Sequence, residues 1–371
     1  MKTRHEELPF APSHPLIDEL FTETSIFFDI ETTGFSPKHT NLYLIGCVRR
    51  KGALLCLDQF FAEASGEEKL ILTAFLELLR QYDTIITYNG IGFDIPYLKA
   101  KCSRYGLTES FAEYEYVDIF KSVSKLKHIF KLENYKQKSV EQFLHLTRDD
   151  LYSGGELIPI YQSYIKSPDD ELLKLLLLHN YEDVLGMLDL IPILSYVHLF
   201  HGSFRKLLDV KLETVKTYDG SQALEYMIVF EPEYPLPEHI SYRQDDVYLV
   251  GRGNRISLAI RVYEGSLKYF YPNYKDYYYL PEEDMAIHKS VATYVEKEHR
   301  RQAKAADCYV KKEGRFLPQY NASFVTPAFR SSYDDKLSYF EFTEQLDTDT
   351  EMLTGYVRHL LSVLGAGKSS R

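Results

Sequence analysis

SIFFDIETTG, residues 25–34, sets two carboxylates one residue apart at the end of a short apolar run that closes on Thr-Thr-Gly. The run reads as a strand over 25–31. Side chains two apart on a strand leave the same face, so Asp29 and Glu31 project together while Ile30 enters the opposite layer. Two like charges on one face of a rigid strand repel, and a cation between them relieves that cost. An isolated Asp-x-Glu is more commonly a strand end with two solvated acids, so the rest of the chain has to carry the choice.

Outward from this strand, two further runs follow at short spacing, 41–48 and 53–61. Strands joined so closely pair antiparallel. Residues 67–81 carry Leu70, Ala74 and Leu78 at helical spacing. A short β-branched strand at 84–88 runs into Asn89-Gly90-Ile91-Gly92, and Asp94-Ile95-Pro96 opens a helix. Another short strand is expected at 116–120, and helices dominate to His201. Three antiparallel strands followed by alternating helices and strands imply an α/β fold, a mixed sheet with parallel additions and helices on both faces. After about residue 203 the chain turns rich in Tyr, Pro and β-branched residues. Strands are expected at 226–230, 247–250, 256–263 and 267–270, with a hairpin turn at 251–254 and a helix over 281–306. The domain expectation is an extension at 1–21, a first domain at 22–202 and an α+β accessory domain at 203–371.

Composition bounds the class. The 371 residues are 45% hydrophobic and 26% charged, ordinary globular values and enough for two domains. No stretch reads as an unbroken apolar span of bilayer length, so no membrane partner is expected. The first residues lack the apolar run of a secretion signal. Cys47, Cys56, Cys102 and Cys308 form no C-x-x-C pair, which points to reduced thiols and a cytoplasmic location. The net charge of −11 argues against a generally basic nucleic-acid binder. Locally, 121–138 holds six lysines and one acid, and 297–315 is also basic. Such strips fit either a phosphate-tracking groove or ordinary solvated faces.

Two more acidic positions stand out. Asp94 lies where a strand hands over to a helix, a usual ligand position in such sheets, although a helix cap is the simpler reading. In HNYEDV, residues 179–184, His179 and Asp183 lie four apart and share one helix face, whereas Tyr181 lies well round it. A neutral imidazole beside a carboxylate suits a base next to a metal ligand. A histidine on an apolar helix after LLKLLLL is the structural alternative.

FDIETTG, NGIGFD and HNYEDV, in this order, resemble the motifs of the DEDD superfamily of 3′-5′ exonucleases on a ribonuclease H-like fold. YVDIFK, ENYKQKSVEQFL and RDDLYSGGELIPIYQSYI extend the resemblance to the YprB-like ribonuclease H-like family, over about residues 22–200. The resemblance implies that Asp29, Glu31, Asp94 and Asp183 hold two divalent cations, Mg²⁺ or Mn²⁺, and that His179 deprotonates the attacking water, with Tyr181 the fallback. It implies a metal-dependent 3′-5′ exonuclease acting on single-stranded DNA or RNA. Hard cations suit carboxylates, and the chain lacks clustered cysteines for zinc. Thr32, Asn89, Phe93 and Asp118 are candidates for contact with the substrate, Asp118 being equally well placed to cap the helix that follows it. Lys121, Lys125 and Lys127 are candidates for the backbone, and the seven tyrosines of 263–279 for base stacking. A non-catalytic nucleic-acid-binding module on the same fold is the alternative function.

Overall fold

The computed structural model describes residues 1–150, 152–217 and 219–367. It comprises two units: Met1–His198 with Tyr234–Glu238, and Leu199–Glu233 with His239–Arg371. In the first unit the elements run β1 (Lys2–Pro9), α1 (Pro15–Leu20), β2 (Ser25–Thr32), β3 (Leu42–Lys51), β4 (Leu54–Phe61), α2 (Glu68–Leu79), β5 (Thr84–Thr87), α3 (Asp94–Tyr105), β6 (Glu115–Asp118), α4 (Ile119–Val123), α5 (Lys127–Phe130), α6 (Gln137–Phe143), α7 (Gly154–Lys166), α8 (Asp170–Leu190) and α9 (Leu194–Phe200). The sheet order is β1-β4-β3-β2-β5-β6. The pairs β1–β4, β4–β3 and β3–β2 are antiparallel, and β5 and β6 add in parallel beside β2. This is the mixed ribonuclease H-like sheet that the motif order implies.

The pleat of β2 decides which layer each residue enters. Phe28 faces α2, its ring 5.0 Å from that of Phe75. Asp29 and Glu31 face α8, where Asn180 and His179 meet them. Helices thus cover both faces, and the carboxylates emerge into the layer beneath α8. Close approach of α8 depends on Gly46, the antiparallel partner of Asp29 on β3. A Cβ there would lie 1.9 Å from Asn180 Oδ1, so only glycine admits the helix over this point.

Two expectations are corrected. Residues 1–21 are no detached extension. β1 pairs with β4 from Lys2↔Phe61 to Pro9↔Leu54, and Leu16, Ile17 and Phe21 are buried. KTRHEELP hides this because a charged edge strand lacks the alternation of a half-buried one. The helix expected over 281–306 is instead a hairpin and short turns. β13 (Tyr277–Leu280) pairs with β14 (Met285–His288), and after it come one short α-helical turn, Lys289–Ala292, and two 3-10 turns, Lys297–His299 and Ala305–Asp307. Ile287, Val291 and Val295 imitate helical spacing, but Val291 is 57% exposed and Asp284 takes a positive φ at the turn. Strand pairing overrides local periodicity here. The stretch Asp170–Phe200 passes a length and mean-hydropathy test for a membrane span, but 67% of its most apolar 18-residue window is buried inside the protein, as in the core helices of a soluble fold.

The second unit is strand-rich. β7 (Phe204–Lys216), β8 (Gln222–Pro232), β9 (Leu236–Gln244), β10 (Val247–Gly253) and β11 (Arg255–Arg261) form a sheet in the order β7-β8-β11-β10-β9. The expected hairpin lies between β10 and β11, where Arg252 pairs with Arg255 and Gly253 adopts φ +57°. β12 (Tyr263–Phe270) joins β16 (Tyr309–Gln319) and β17 (Ser338–Glu341), and β13 lies between β14 and β15 (Arg301–Gln302). A helix, Thr350–Ala366, follows. The expected tyrosine cluster is mostly half-buried and packed on itself, Tyr271 and Tyr277 stacking at 4.3 Å.

Candidate functional site

β2 and α8 meet at one end of a cleft of about 600 Å³ lined by Glu31, Thr32, Phe35, Phe93, Lys136, Lys138, His179 and Asp183, among others. Glu31, His179 and Asp183 bring one ligand atom each to within 4.8 Å of one another. His179 Nε2 lies 3.4 Å from Glu31 Oε1 and 3.4 Å from Asp183 Oδ2. The i, i+4 spacing on α8 puts His179 and Asp183 on the same face, as the sequence implies.

Asp29 and Asp94 flank this core without joining it at that distance. Asp29 Oδ2 accepts from Asn180 Nδ2 at 3.2 Å. Asn180 is itself held by Gln59, whose Nε2 donates to Asn180 Oδ1 at 3.0 Å. Asp94 is the first residue of α3 and not its cap, since Phe93 precedes the helix. Its Oδ1 instead accepts from the N–H of Ile30 at 3.3 Å. That bond ties the α3 corner to the residue between Asp29 and Glu31.

The electrostatics are those of a cluster short of positive charge. Burial, and then the negative charges of Asp183 and Asp94, hold Asp29 and Glu31 well above the usual carboxylate range. Burial chiefly pushes Asp94 up to about 7, against hydrogen bonds from its own backbone and Ile30. Crowded, buried carboxylates favour either protonation or a bound cation. All four are hard oxygen donors, so the donor set fits Mg²⁺ or Mn²⁺.

The sign of the pH effect follows from the raised values. A carboxyl whose folded pKa exceeds its unfolded one stabilises the fold below the unfolded pKa, and loses that contribution as pH rises through the folded value. For Asp94 the window runs from 3.8 to about 7, on the order of 4 kcal/mol at most. Metal-free protein should therefore melt at a lower temperature at pH 8 than at pH 5. Asp94→Asn should flatten the profile. Calorimetry in chelator checks this, and a melting temperature rising over that range would contradict it.

Not every candidate reaches the cleft. Phe93 and Thr32 line it. Asp118 instead accepts from the N–H groups of Lys121 at 3.0 Å, Asn89 at 3.1 Å and Ile91 at 3.3 Å. It caps α4 and pins the turn before Asp94, and it is not among the residues lining the cleft. Asn89 is exposed on that turn at φ +65°, outside the cleft lining. Tyr181 points to β1, its hydroxyl 3.5 Å from Glu6 and its ring under Arg4.

Sequence reasoning missed Asn180, Arg148 and Asp150. Arg148 donates to both Glu141 and Asp183, and Gln137 adds a bond to the Asp183 carbonyl at 3.0 Å. Asp150 Oδ2 lies 2.7 Å from His179 Nδ1. The only sequence signal was the charged Arg148-Asp149-Asp150 triplet before Ser153-Gly154-Gly155, about 30 residues from the histidine it serves.

Residues 26–195 match the family model RNase_H_2 of the RNase_H superfamily. The uncharacterized protein YprB of Bacillus subtilis (strain 168) is 29% identical over 195 residues, covering 50% of this chain and 45% of that protein. A DNA polymerase of Methanocaldococcus jannaschii is 47% identical over 106 residues, 26% of this chain and 6% of that protein. The chain thus spans less than half the length of these curated relatives. Among solved structures, the family B DNA polymerase of the hyperthermophilic archaeon Pyrobaculum calidifontis aligns at 14% identity with a TM-score of 0.39, over 66% of this chain and 33% of that one. E. coli exonuclease I in complex with a dT13 oligonucleotide aligns at 12% identity with a TM-score of 0.34, over 57% and 55%.

Proposed function

We propose, from the premise that residues 26–195 form an RNase H-like domain, that the protein is a metal-dependent 3′-5′ exonuclease of the DEDD type acting on single-stranded nucleic acid. The observation that carries this reading is the convergence of Glu31, His179 and Asp183 in one cleft, with Asp29 and Asp94 beside them. Asp29, Glu31, Asp94 and Asp183 would hold two divalent ions, Mg²⁺ or Mn²⁺, which supply activation of water and charge stabilisation at the phosphate and leaving oxygen. His179 accepts the proton of the attacking water at Nε2. Lys136 brings positive charge to the cleft wall and draws the backbone in. The exposed ring of Phe35, 5.9 Å from Phe93, offers a stacking surface to a terminal base.

The test uses 3′- and 5′-labelled DNA and RNA oligonucleotides with Mn²⁺, Mg²⁺ or chelator. Laddering from the 3′ end that stops in chelator is expected, and the two substrates decide between DNA and RNA. Binding without cleavage in either metal would replace the exonuclease by the non-catalytic module.

Arg148 has its own predicted effect. Glu141 and Arg148 are 3% and 10% exposed, and breaking a buried pair from one side costs about 3–5 kcal/mol. Arg148→Met should lower the melting temperature and weaken Mn²⁺ binding, because Asp183 loses the partner that orients it. Unchanged melting and unchanged calorimetric Mn²⁺ affinity would show the contact to be idle.

A further inference from the structure

Both ring nitrogens of His179 are engaged, and the one facing away from the cleft is the more tightly held. Nδ1 sits 2.7 Å from Asp150 Oδ2, whereas Nε2 is 3.4 Å from its two carboxylate neighbours. A carboxylate is an acceptor only, so the bond to Asp150 requires the proton on Nδ1. Asp150 is 6% exposed and is itself fixed from three sides. Its Oδ2 also accepts from Lys138 Nζ at 3.0 Å, and its Oδ1 from the N–H of Tyr152 at 3.1 Å. The Glu182 carboxylate receives the N–H groups of Asp149 and Asp150 at 3.0 and 2.8 Å. α8 therefore carries His179 and Asp183 and also clamps the loop that orients His179. Burial alone would raise the Asp150 carboxyl, but the bonds from His179, Lys138 and Tyr152 outweigh it and keep it ionised.

We propose that Asp150 is a positioning residue of this site, holding His179 with its proton on Nδ1 and its Nε2 lone pair directed at the carboxylate cluster. The inference rests on the reading of His179 as the base. In the step it serves, an O–H bond of water breaks and the proton passes to Nε2. The water oxygen bonds to phosphorus as the bond to the leaving nucleotide oxygen breaks. Asp150 stays ionised and stabilises the imidazolium, and the proton then leaves to solvent or to the leaving group. Lys138 balances the Asp150 charge, so the couple adds little to an already negative pocket. A second carboxylate behind a base histidine does such work by fixing tautomer and ring orientation.

The test is a double-mutant cycle with Asp150→Asn, which is nearly isosteric and can keep the Tyr152 contact, and His179→Ala. Asp150→Asn should lower kcat by up to the His179→Ala loss, on the order of 10²–10⁴-fold. KM and calorimetric Mn²⁺ affinity should stay within about threefold. In the His179→Ala background the same change should cost less than about twofold, because a residue acting through another has nothing left to act on. A full additive loss, or a collapse of Mn²⁺ affinity, would overturn the proposal. Nitrogen NMR of the Mg²⁺-loaded protein gives a readout independent of turnover. The parent should show a protonated Nδ1 and bare Nε2 at His179, and Asp150→Asn should shift that pattern; an unchanged pattern overturns the proposal. If the parent cleaves nothing, the exonuclease reading fails and the NMR result alone decides what Asp150 does.

Discussion

Asp29→Asn should bring phosphodiester cleavage to the detection limit while leaving the fold at least as stable as the parent. The two effects share one cause. Asp29 sits among Asp183, Asp94 and Glu31, and burial with their charges holds its carboxyl well above the usual range. Without a cation that crowding is a standing cost to the fold, and the amide removes one charge from it. Each pKa unit relieved is worth about 1.4 kcal/mol, and each kcal/mol shifts melting by roughly 2–4 °C in a domain of this size. The amide keeps an oxygen for the Asn180 donor 3.2 Å away, so the packing beneath α8 has no reason to change. It does not keep the negative charge a divalent ion requires. Melting curves in chelator, Mn²⁺ titration and the cleavage assay read the two halves separately. A near-parental cleavage rate would remove Asp29 from the catalytic set. Lower stability in chelator would mean that the cluster is not electrostatically strained.

His179→Ala should slow cleavage by about 10²–10⁴-fold, the usual loss on removing a general base. Mn²⁺ affinity should be nearly unchanged, since four carboxylates remain. His179 Nε2 is 3.4 Å from both Glu31 and Asp183, close enough for the competing role to be tested directly. A large fall in calorimetric affinity would make the imidazole a ligand and transfer the base role elsewhere. Tyr181 is not the replacement, for its hydroxyl lies beside Glu6 on β1. Full activity in the variant would remove His179 from the reaction altogether.

The parts of the site visible in the sequence are those governed by local periodicity. The strand period carries Asp29 and Glu31 to one face, and the helical period carries His179 and Asp183 to another. Each relation holds within four residues, so no knowledge of the rest of the chain was needed. Asp94 was legible as a strand-to-helix corner, but its bond to the Ile30 N–H was not, because that bond spans 64 residues. The same limit explains the failures. Asp118 had two local readings, and only the approach of the Asn89–Ile91 turn shows its carboxylate holding that turn as well as capping α4. The spurious helix over 281–306 came from a true four-residue repeat, Ile287, Val291 and Val295, of which a hairpin takes the first and a four-residue helix the second.

The sequence alone determined that Asp29 and Glu31 share one strand face, that His179 and Asp183 share one helix face, and the class of chemistry such oxygens suit, since pleat, helical pitch and donor hardness are properties of short segments. Tertiary structure decided how the segments are joined: Gly46 making room for Asn180, Arg148 bridging Glu141 and Asp183, and Asp150 turning the His179 ring. Those contacts link residues that no local period relates. They exist only because burial beneath α8 removes the water that would otherwise satisfy each polar group.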